Sequence, residues 1–154
     1  MKSFENTLIE ISNNFINLSK NHSTEILEIS DLIIASLNSG GKIMFCGNGG
    51  SAADSQHLSA ELVGRYRKNR KAIASVSLTT DTSAITAIGN DFDFNNIFSR
   101  QIEAIGKSSD VLYALSTSGN SKNIINAINV AKSLGIKVIG VTGKDGGEMN
   151  NLCD

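Results

Sequence analysis

Hydrophobic residues in the first forty positions recur every three or four residues, the spacing of one face of an α-helix. The first apolar seam consists of Phe4, Leu8, Ile11, Phe15 and Leu18. The second consists of Ile26, Ile29, Ile33 and Leu37. Glycines at 40 and 41 end the second helix, because glycine adopts the left-handed conformation that closes a helix. The pattern predicts a helical hairpin over residues 1–40 and leaves open whether its first seam packs on its own domain or on another subunit.

From Lys42 the pattern changes to an alternation of short apolar runs and helical segments. The apolar runs, each the length of a buried strand, occupy 42–46, 72–78, 111–116 and 137–142. The helical patterns between and after them occupy 51–63, 81–88, 95–105 and 121–134. This alternation predicts an α/β fold in which a doubly wound parallel sheet carries helices on both faces. No linker or repeat divides residues 1–154, so we expect a single domain with its α/β core over 41–154.

Composition and charge narrow the class of protein. The formal net charge is -1, so no global field attracts nucleic acid or an acidic membrane surface. The amphipathic start lacks the continuous apolar stretch of a secretory signal or a membrane span, which predicts a cytoplasmic protein. The two cysteines, Cys46 and Cys153, form no CxxC motif, which argues against a zinc knuckle or a disulfide framework.

A glycine-rich turn, "GNGGSA" over 47–52, follows the first strand and opens a helix. It fits the dinucleotide pattern G-x-G-x-x-A, but that pattern also needs an acidic residue at the end of the second strand. Thr79 and Thr80 stand there instead, and Asp81 is placed to cap the next helix. The turn alone is therefore compatible with a nucleotide site, a phosphate site, the edge of a metal site or a tight turn without a ligand.

The serine-rich loop "STSGNS", residues 116–121, follows another buried strand and precedes the helix predicted over 121–134. Its four hydroxyls belong to Ser116, Thr117, Ser118 and Ser121. Together with the backbone N–H groups of the helix N-terminus they suit a phosphate dianion without any lysine. A serine-rich cap without a ligand is the alternative, since serine and asparagine also favour helix N-caps.

These two loops, quoted as "CGNGGSAADSQH" and "STSGNS", resemble the sugar isomerase (SIS) domain family, whose members bind phosphosugars in a doubly wound, flavodoxin-like sheet. Three further blocks, "AELVGRYRKNR", "AIGNDFDFNNIFSRQ" and "VTGKDGG", are similar to the phosphoheptose isomerases within that family. The resemblance covers the whole chain. It implies interconversion of sedoheptulose 7-phosphate and D-glycero-D-manno-heptose 7-phosphate, the first step toward the heptose of surface lipopolysaccharide. Family members continue for about a strand and a long helix past residue 154.

His57 and Glu61 are four residues apart and share one helix face, which by itself could be a solvated pair. The resemblance implies that both are zinc ligands and that Glu61 is also the carboxylate that transfers the proton. Two protein ligands are fewer than the three or four that zinc normally takes, so we expect the remaining ligands beyond residue 154. The resemblance places there a glutamine and a histidine of the family's site.

The resemblance also implies a set of substrate-binding residues. Near the first turn it assigns Asn48, Gly49, Gly50 and Ser51, with Ser51 expected to cap the helix close to the sugar. In later segments it assigns Arg65, Asn90 and Asp91. Each of these has an ordinary alternative, a surface arginine for Arg65 and a turn for the Gly-Asn-Asp sequence at 89–91.

Two classes of function compete within this family. The first is the isomerase, for which the resemblance implies a cytoplasmic homotetramer that binds neither nucleic acid nor membrane. The second is a binding protein of the type that associates with the replication initiator DnaA, whose members keep the serine loop and lose the glutamate. Glu61 favours catalysis. An SIS-domain transcriptional regulator is disfavoured, because the residues ahead of the sheet contain no basic recognition helix.

Overall fold

The computed structural model describes residues 3–154, which form two compact units, one ending at Ile34 and the other spanning Ala35–Asp154. The first unit contains helix α1 (Phe4–Asn21) and most of helix α2 (Ser23–Asn38). The Ser3 side chain caps α1 by accepting a hydrogen bond from the Asn6 N–H. Both predicted helices are present, and none of the residues in α1 is buried.

A four-stranded parallel sheet forms the centre of the second unit. Its strands are β1 (Ile43–Cys46), β2 (Ser75–Ser77), β3 (Val111–Ser116) and β4 (Lys137–Thr142), in the order β2-β1-β3-β4. All three neighbouring pairs are parallel. From β1 the chain continues to β2 on one side of β1, and then crosses to β3 on the other side of β1. In open α/β sheets, such a switch point creates a crevice at the carboxyl ends of the two central strands.

Four helices accompany the sheet: α3 (Gly50–Val63), α4 (Thr82–Asp91), α5 (Ser99–Ile105) and α6 (Lys122–Ser133). Short 3-10 turns occupy Phe94–Asn96 and Gly147–Asn151. The α/β class and the doubly wound parallel sheet are confirmed, as is the cap of α4, where Asp81 Oδ1 accepts from the Ala84 N–H at 2.9 Å. None of the described helices combines the length and the apolar character that a membrane span requires.

Two predicted elements differ from the observed ones for local reasons. The run predicted as a strand over 72–78 pairs only at 75–77, because the Ile73 N–H donates to the Leu62 carbonyl at the end of α3. The helix predicted over 95–105 is divided into a 3-10 turn and α5. Asp93 begins the short turn one residue before the predicted helix start, since its side chain accepts from the Asn95 N–H and caps the turn.

The hydrophobic core lies on one face of the sheet, against α5 and α6. Strand residues Met44, Leu112 and Val138 contact a helix layer that includes Ile102 and Ile128, and all five are fully buried. Complete burial of such a side chain stabilises a fold by about 1.5–3 kcal/mol. The packed core and the pairing of Cys46 with Ala114 bring the carboxyl ends of β1 and β3 to the same edge. The loops that follow these two strands therefore meet there.

Candidate active site

A polar cavity of about 220 Å³ lies at the carboxyl ends of β1 and β3. It is lined by Asn48, Ser51, Leu115, Ser116, Thr117, Ser118 and Ser121. The four hydroxyl-bearing residues of the serine-rich loop, predicted to converge, thus surround one space. Leu115 is a lining residue that the sequence did not single out, since a leucine in a buried strand carries no functional signal.

The N-terminus of α6 opens into this serine-rich loop without a side-chain cap. Ser121 occupies the N-cap position, but its side chain makes no capping bond; its Oγ lies 3.0 Å from Ser116 Oγ instead. The first N–H groups of a helix have no partner within the helix, and the helix dipole adds partial positive charge there. The loop therefore offers hydroxyl and backbone donors together, which is the arrangement that binds phosphate.

A second loop, residues 143–149, holds the serine-rich loop in place. The Gly143 N–H donates to the Thr117 carbonyl and the Met149 N–H to the Gly119 carbonyl, both at 3.1 Å. Asn120 Oδ1 accepts from the Glu148 N–H at 2.9 Å. These bonds were not predicted, although the glycines of "GKDGG" mark a tight loop at this point.

Gly119 makes the contact between the two loops possible. Its φ is +66°, and a Cβ atom added to it would lie 1.9 Å from the Gly146 carbonyl oxygen. No other residue type fits there without displacement of the backbone. The sequence marked Gly119 only as part of the motif, so its steric role is a finding of the structure.

The glycine-rich turn enters α3 one residue earlier than predicted. Gly49, with φ +57°, is the N-cap, and Gly50 is the first helical residue. The prediction that Ser51 caps this helix is wrong, because the positive φ of Gly49 turns the chain into the helix before Ser51 is reached. Ser51 lies in the first turn and lines the cavity instead.

A pair of amide side chains joins the two loops of the site. Asn48 Nδ2 donates to Asn123 Oδ1, and Asn123 Nδ2 donates to Asn48 Oδ1, both at 2.8 Å. Asn48 was predicted as a substrate-binding residue. Asn123, in the first turn of α6, was not, and nothing in its local sequence distinguishes it from the other asparagines of the chain.

His57 and Glu61 lie on α3 as predicted, with His57 Nε2 3.7 Å from Glu61 Oε1. The His57 side chain is 71% exposed and that of Glu61 is 31% exposed. The second carboxylate oxygen, Glu61 Oε2, is buried and has no hydrogen-bond partner among the described residues. A buried carboxylate oxygen without a hydrogen-bond partner is energetically unfavourable. Glu61 Oε2 can therefore still bind a proton or a cation.

The position of the pair along α3 suits a long substrate. His57 is six residues beyond Ser51, which corresponds to about 9 Å along the helix axis. Helical side chains tilt toward the N-terminus, so the Glu61 side chain reaches back toward His57. The pair is therefore displaced from the cavity along the axis of α3. A sugar phosphate whose reacting carbons and phosphate are at opposite ends has a similar separation between its two functional groups.

The same two residues carry atoms of the type that bind metal ions. A histidine nitrogen and an unpartnered carboxylate oxygen are suitable donors for zinc. Within residues 3–154, however, no cluster of three or more His, Cys, Asp or Glu side chains forms around them. The chain therefore supplies two donors that fit zinc, fewer than a complete site requires.

Six predicted substrate residues lie outside the cavity lining, namely Gly49, Gly50, Glu61, Arg65, Asn90 and Asp91. Asn90 and Asp91 are exposed in the last turn of α4, where Asn90 Nδ2 donates to Asp91 Oδ1 at 2.7 Å. The exposed Arg65 donates to Asn69 Oδ1 just after α3. Their roles in binding stay predictions. Nearby, Arg70 donates to the carbonyls of Glu61 and Leu62 and so anchors the end of α3, a role that was not predicted.

Cys46 ends β1 directly before the glycine-rich turn, but its environment excludes a nucleophilic role. The residue is completely buried in the core. Burial, together with the nearby Cys153, raises the pKa of its thiol far above the usual value. The thiolate is the reactive form of cysteine, and this environment keeps Cys46 protonated.

Comparisons with known proteins agree on one family. Residues 8–143 match the model of the SIS domain. The chain is 56% identical over 125 residues to the phosphoheptose isomerase of Aliarcobacter butzleri, which covers 81% of this chain and 66% of that protein. It is 55% identical over 130 residues to phosphoheptose isomerase 1 of Campylobacter jejuni, covering 84% and 70%.

A solved structure supports the same relationship. The structure of phosphoheptose isomerase GmhA from Neisseria gonorrhoeae matches with a TM-score of 0.88 at 42% identity, over 96% of this chain and 77% of that one. The chain spans about two thirds of the length of the curated relatives it matches.

Proposed function

Because the chain belongs to the SIS domain family and, within it, to the phosphoheptose isomerases, we propose that it interconverts sedoheptulose 7-phosphate and D-glycero-D-manno-heptose 7-phosphate. One observation carries the proposal. A preformed cavity of hydroxyls at a helix N-terminus and a carboxylate with an unpartnered oxygen occur in the same unit, linked by α3. The phosphate of the substrate occupies the cavity, and carbons C1 and C2 lie toward Glu61.

The reaction moves a carbonyl from C2 to C1, and Glu61 transfers the proton that this requires. Its carboxylate takes a proton from C1 of the ketose, and the electron pair forms the C1–C2 double bond of an enediolate. A proton then moves from O1 to O2. Glu61 returns its proton to C2, which leaves the carbonyl at C1 and a hydroxyl at C2. Atoms and charge balance, and no external oxidant is needed.

His57 and Glu61 would hold a zinc ion together with ligands that lie outside the described residues. When bound, such an ion supplies Lewis acidity for the carbonyl and stabilises the charge of the enediolate oxygen. The support for this proposal is the donor pair itself and the unpartnered Glu61 Oε2.

The test of the function is an isomerase assay with sedoheptulose 7-phosphate on the wild-type chain and on Glu61→Gln. Glutamine preserves shape and hydrogen bonding but removes the base, so turnover should fall by about 10²–10⁴-fold. Affinity for inorganic phosphate, measured by calorimetry, should be unchanged. The matched control is Glu103→Gln, which changes an exposed glutamate on α5. Wild-type turnover in Glu61→Gln would refute the mechanism, and no turnover in a zinc-loaded wild-type chain that includes the ligands expected beyond residue 154 would refute the proposed function.

We also propose that the chain acts as a homotetramer, assembled through the seam of α1. The five seam residues are all exposed, with Phe4 at 80% and Phe15 at 68%. An exposed apolar stripe with regular helical spacing is typical of helix-to-helix contact between subunits. No charged residue interrupts the stripe.

Phe15→Asp should break this assembly, because an aspartate in the seam would be buried without a partner. Sedimentation velocity at micromolar concentration should show smaller species for Phe15→Asp than for the wild-type chain. Asn13→Asp, on the opposite side of α1, adds the same charge outside the seam and should assemble normally. A wild-type monomer at this concentration, or an unchanged Phe15→Asp, would contradict the proposal.

A further inference from the structure

We propose that Asn123 is a positioning residue of the substrate site, which fixes the side chain of Asn48 and thereby aligns the sugar with its phosphate. The inference rests on the proposed sugar phosphate function. It concerns the reciprocal amide pair that joins the glycine-rich turn to the first turn of α6. Neither the sequence motifs nor the mechanism above uses Asn123.

Asn48 and Asn123 differ in burial, and therefore in the role that each can have. Asn48 is half-buried and lines the cavity, where it can contact a ligand. Asn123 is 2% exposed and is not among the lining residues. Asn123 therefore acts on the substrate only through Asn48.

The geometry of the pair makes it rigid. Two antiparallel N–H···O bonds of equal length close a ring between the amides, so neither can rotate without breaking both bonds. Each amide uses one N–H and one oxygen lone pair in this ring. Asn48 therefore retains one N–H donor and one oxygen lone pair for a ligand. The buried amide of Asn123 thus sets the direction in which Asn48 presents them.

The pair also connects the two halves of the site. Asn48 belongs to the turn that leads into α3, which carries His57 and Glu61. Asn123 follows the serine-rich loop directly at the start of α6. A sugar phosphate extends past Asn48 toward α3, whereas inorganic phosphate takes its donors mainly from the hydroxyls and backbone N–H groups of the serine-rich loop. Loss of the pair should therefore affect the two ligands differently.

The experiment compares Asn123→Leu with the wild-type chain by calorimetry and by isomerase assay. Leucine fills the space but can neither donate nor accept. We expect affinity for inorganic phosphate to be unchanged and affinity for sedoheptulose 7-phosphate to fall by about tenfold, the loss of one hydrogen bond of ordinary strength. We expect kcat to fall by about 100-fold, the usual cost of a displacement near 1 Å.

Asn126→Leu is the matched control. Asn126 lies on the same helix, is half-buried, and donates through Nδ2 to the Asn95 carbonyl at 3.1 Å. A merely structural effect of losing an amide from α6 should appear in both variants as a lower melting temperature. Only Asn123→Leu should remove the preference for sugar phosphate over inorganic phosphate.

Several outcomes would overturn the inference: unchanged sugar phosphate affinity in Asn123→Leu, an equal loss for both ligands, or the same selective loss in Asn126→Leu. If Asn123→Leu does not fold, Asn123→Ser carries the same test, since its small hydroxyl leaves room for a water molecule. If the zinc-loaded wild-type chain that includes the ligands expected beyond residue 154 binds the sugar phosphate without turning it over, the proposed function fails. The selective loss of affinity in the variant would still support the positioning role.

Discussion

The two ends of the candidate site differ in how many of their polar groups already have hydrogen-bond partners. At the phosphate end, the serine-rich loop is fixed by Ser116, by Asn120 and by bonds from the loop at 143–149. At the acid-base end, His57 is largely exposed and one oxygen of Glu61 has no partner among the described residues. The serine-rich loop is thus held in place by hydrogen bonds, whereas the side chains of His57 and Glu61 still have atoms available to bind a ligand.

This difference fits the roles proposed for the two ends. A phosphate carries its charge before and after binding, so fixed donors at a helix N-terminus can bind it without rearrangement. A carboxylate that transfers a proton needs an oxygen that is not already bound, and a metal ligand needs a free electron pair. If hydrogen bonds occupied Glu61 Oε2 as they occupy the groups of the serine-rich loop, that oxygen could neither accept a proton nor bind a metal ion. Variants that alter one end and leave the other intact test this separation.

Gly119→Ala should have the largest effect on the phosphate end. The left-handed backbone costs an L-residue about 1–2 kcal/mol, and the added Cβ would also collide with the Gly146 carbonyl. The serine-rich loop must then move away from the loop at 143–149 and lose their shared hydrogen bonds. We expect inorganic phosphate binding to be abolished in calorimetry and the melting temperature to fall.

Gly40→Ala separates the two causes of this effect. Gly40 has φ +77°, but a Cβ atom there meets nothing within 4 Å. It should therefore show only the conformational cost, about 1–2 kcal/mol in the free energy of unfolding, with phosphate binding intact. Equal behaviour of the two variants would show that the contact between the loops does not shape the phosphate site.

The double variant Ser118→Ala, Ser121→Ala should have a smaller effect on the same end. Each lost hydrogen bond to a charged group costs about 1.5–3 kcal/mol, so phosphate affinity should fall by at least about 100-fold, while the backbone donors continue to bind. Ser133→Ala, at the far end of α6, is the control, because its hydroxyl bonds only to the Val130 carbonyl. Equal affinity in the double variant and the control would refute the assignment of these hydroxyls.

The sequence predicted the fold well where burial alone determines the pattern. Strands β3 and β4 have the predicted bounds, since their continuous apolar runs lie between turns. The strand over 72–78 and the helix over 95–105 were misjudged at their ends. A single bond from Ile73 and a single cap by Asp93 decide those ends, and neither contributes to a periodic signal.

The site was predictable to the extent that its residues are contiguous. The serine-rich loop follows one strand and precedes one helix, so the convergence of its hydroxyls was visible in the sequence. Asn48 and Asn123 pair across 75 positions, and two asparagines among many give no sign that they meet. The contact between Gly119 and Gly146 likewise depends on tertiary placement, which no local pattern contains.

His57→Ala tests the acid-base end and should have the smallest effect on phosphate affinity, namely none. Removing one of the two donors should lower the zinc retained after dialysis, as measured by elemental analysis. Turnover should fall with the metal content and recover in part with excess zinc, since Glu61 remains. The control is His22→Ala, which removes the other histidine of the chain. His22 also pairs with a glutamate, its Nδ1 lying 2.7 Å from Glu25 Oε2, but this pair belongs to the first of the two units. A loss of inorganic phosphate binding in His57→Ala would show that the two ends are not separate, and wild-type zinc content would remove His57 from the metal site.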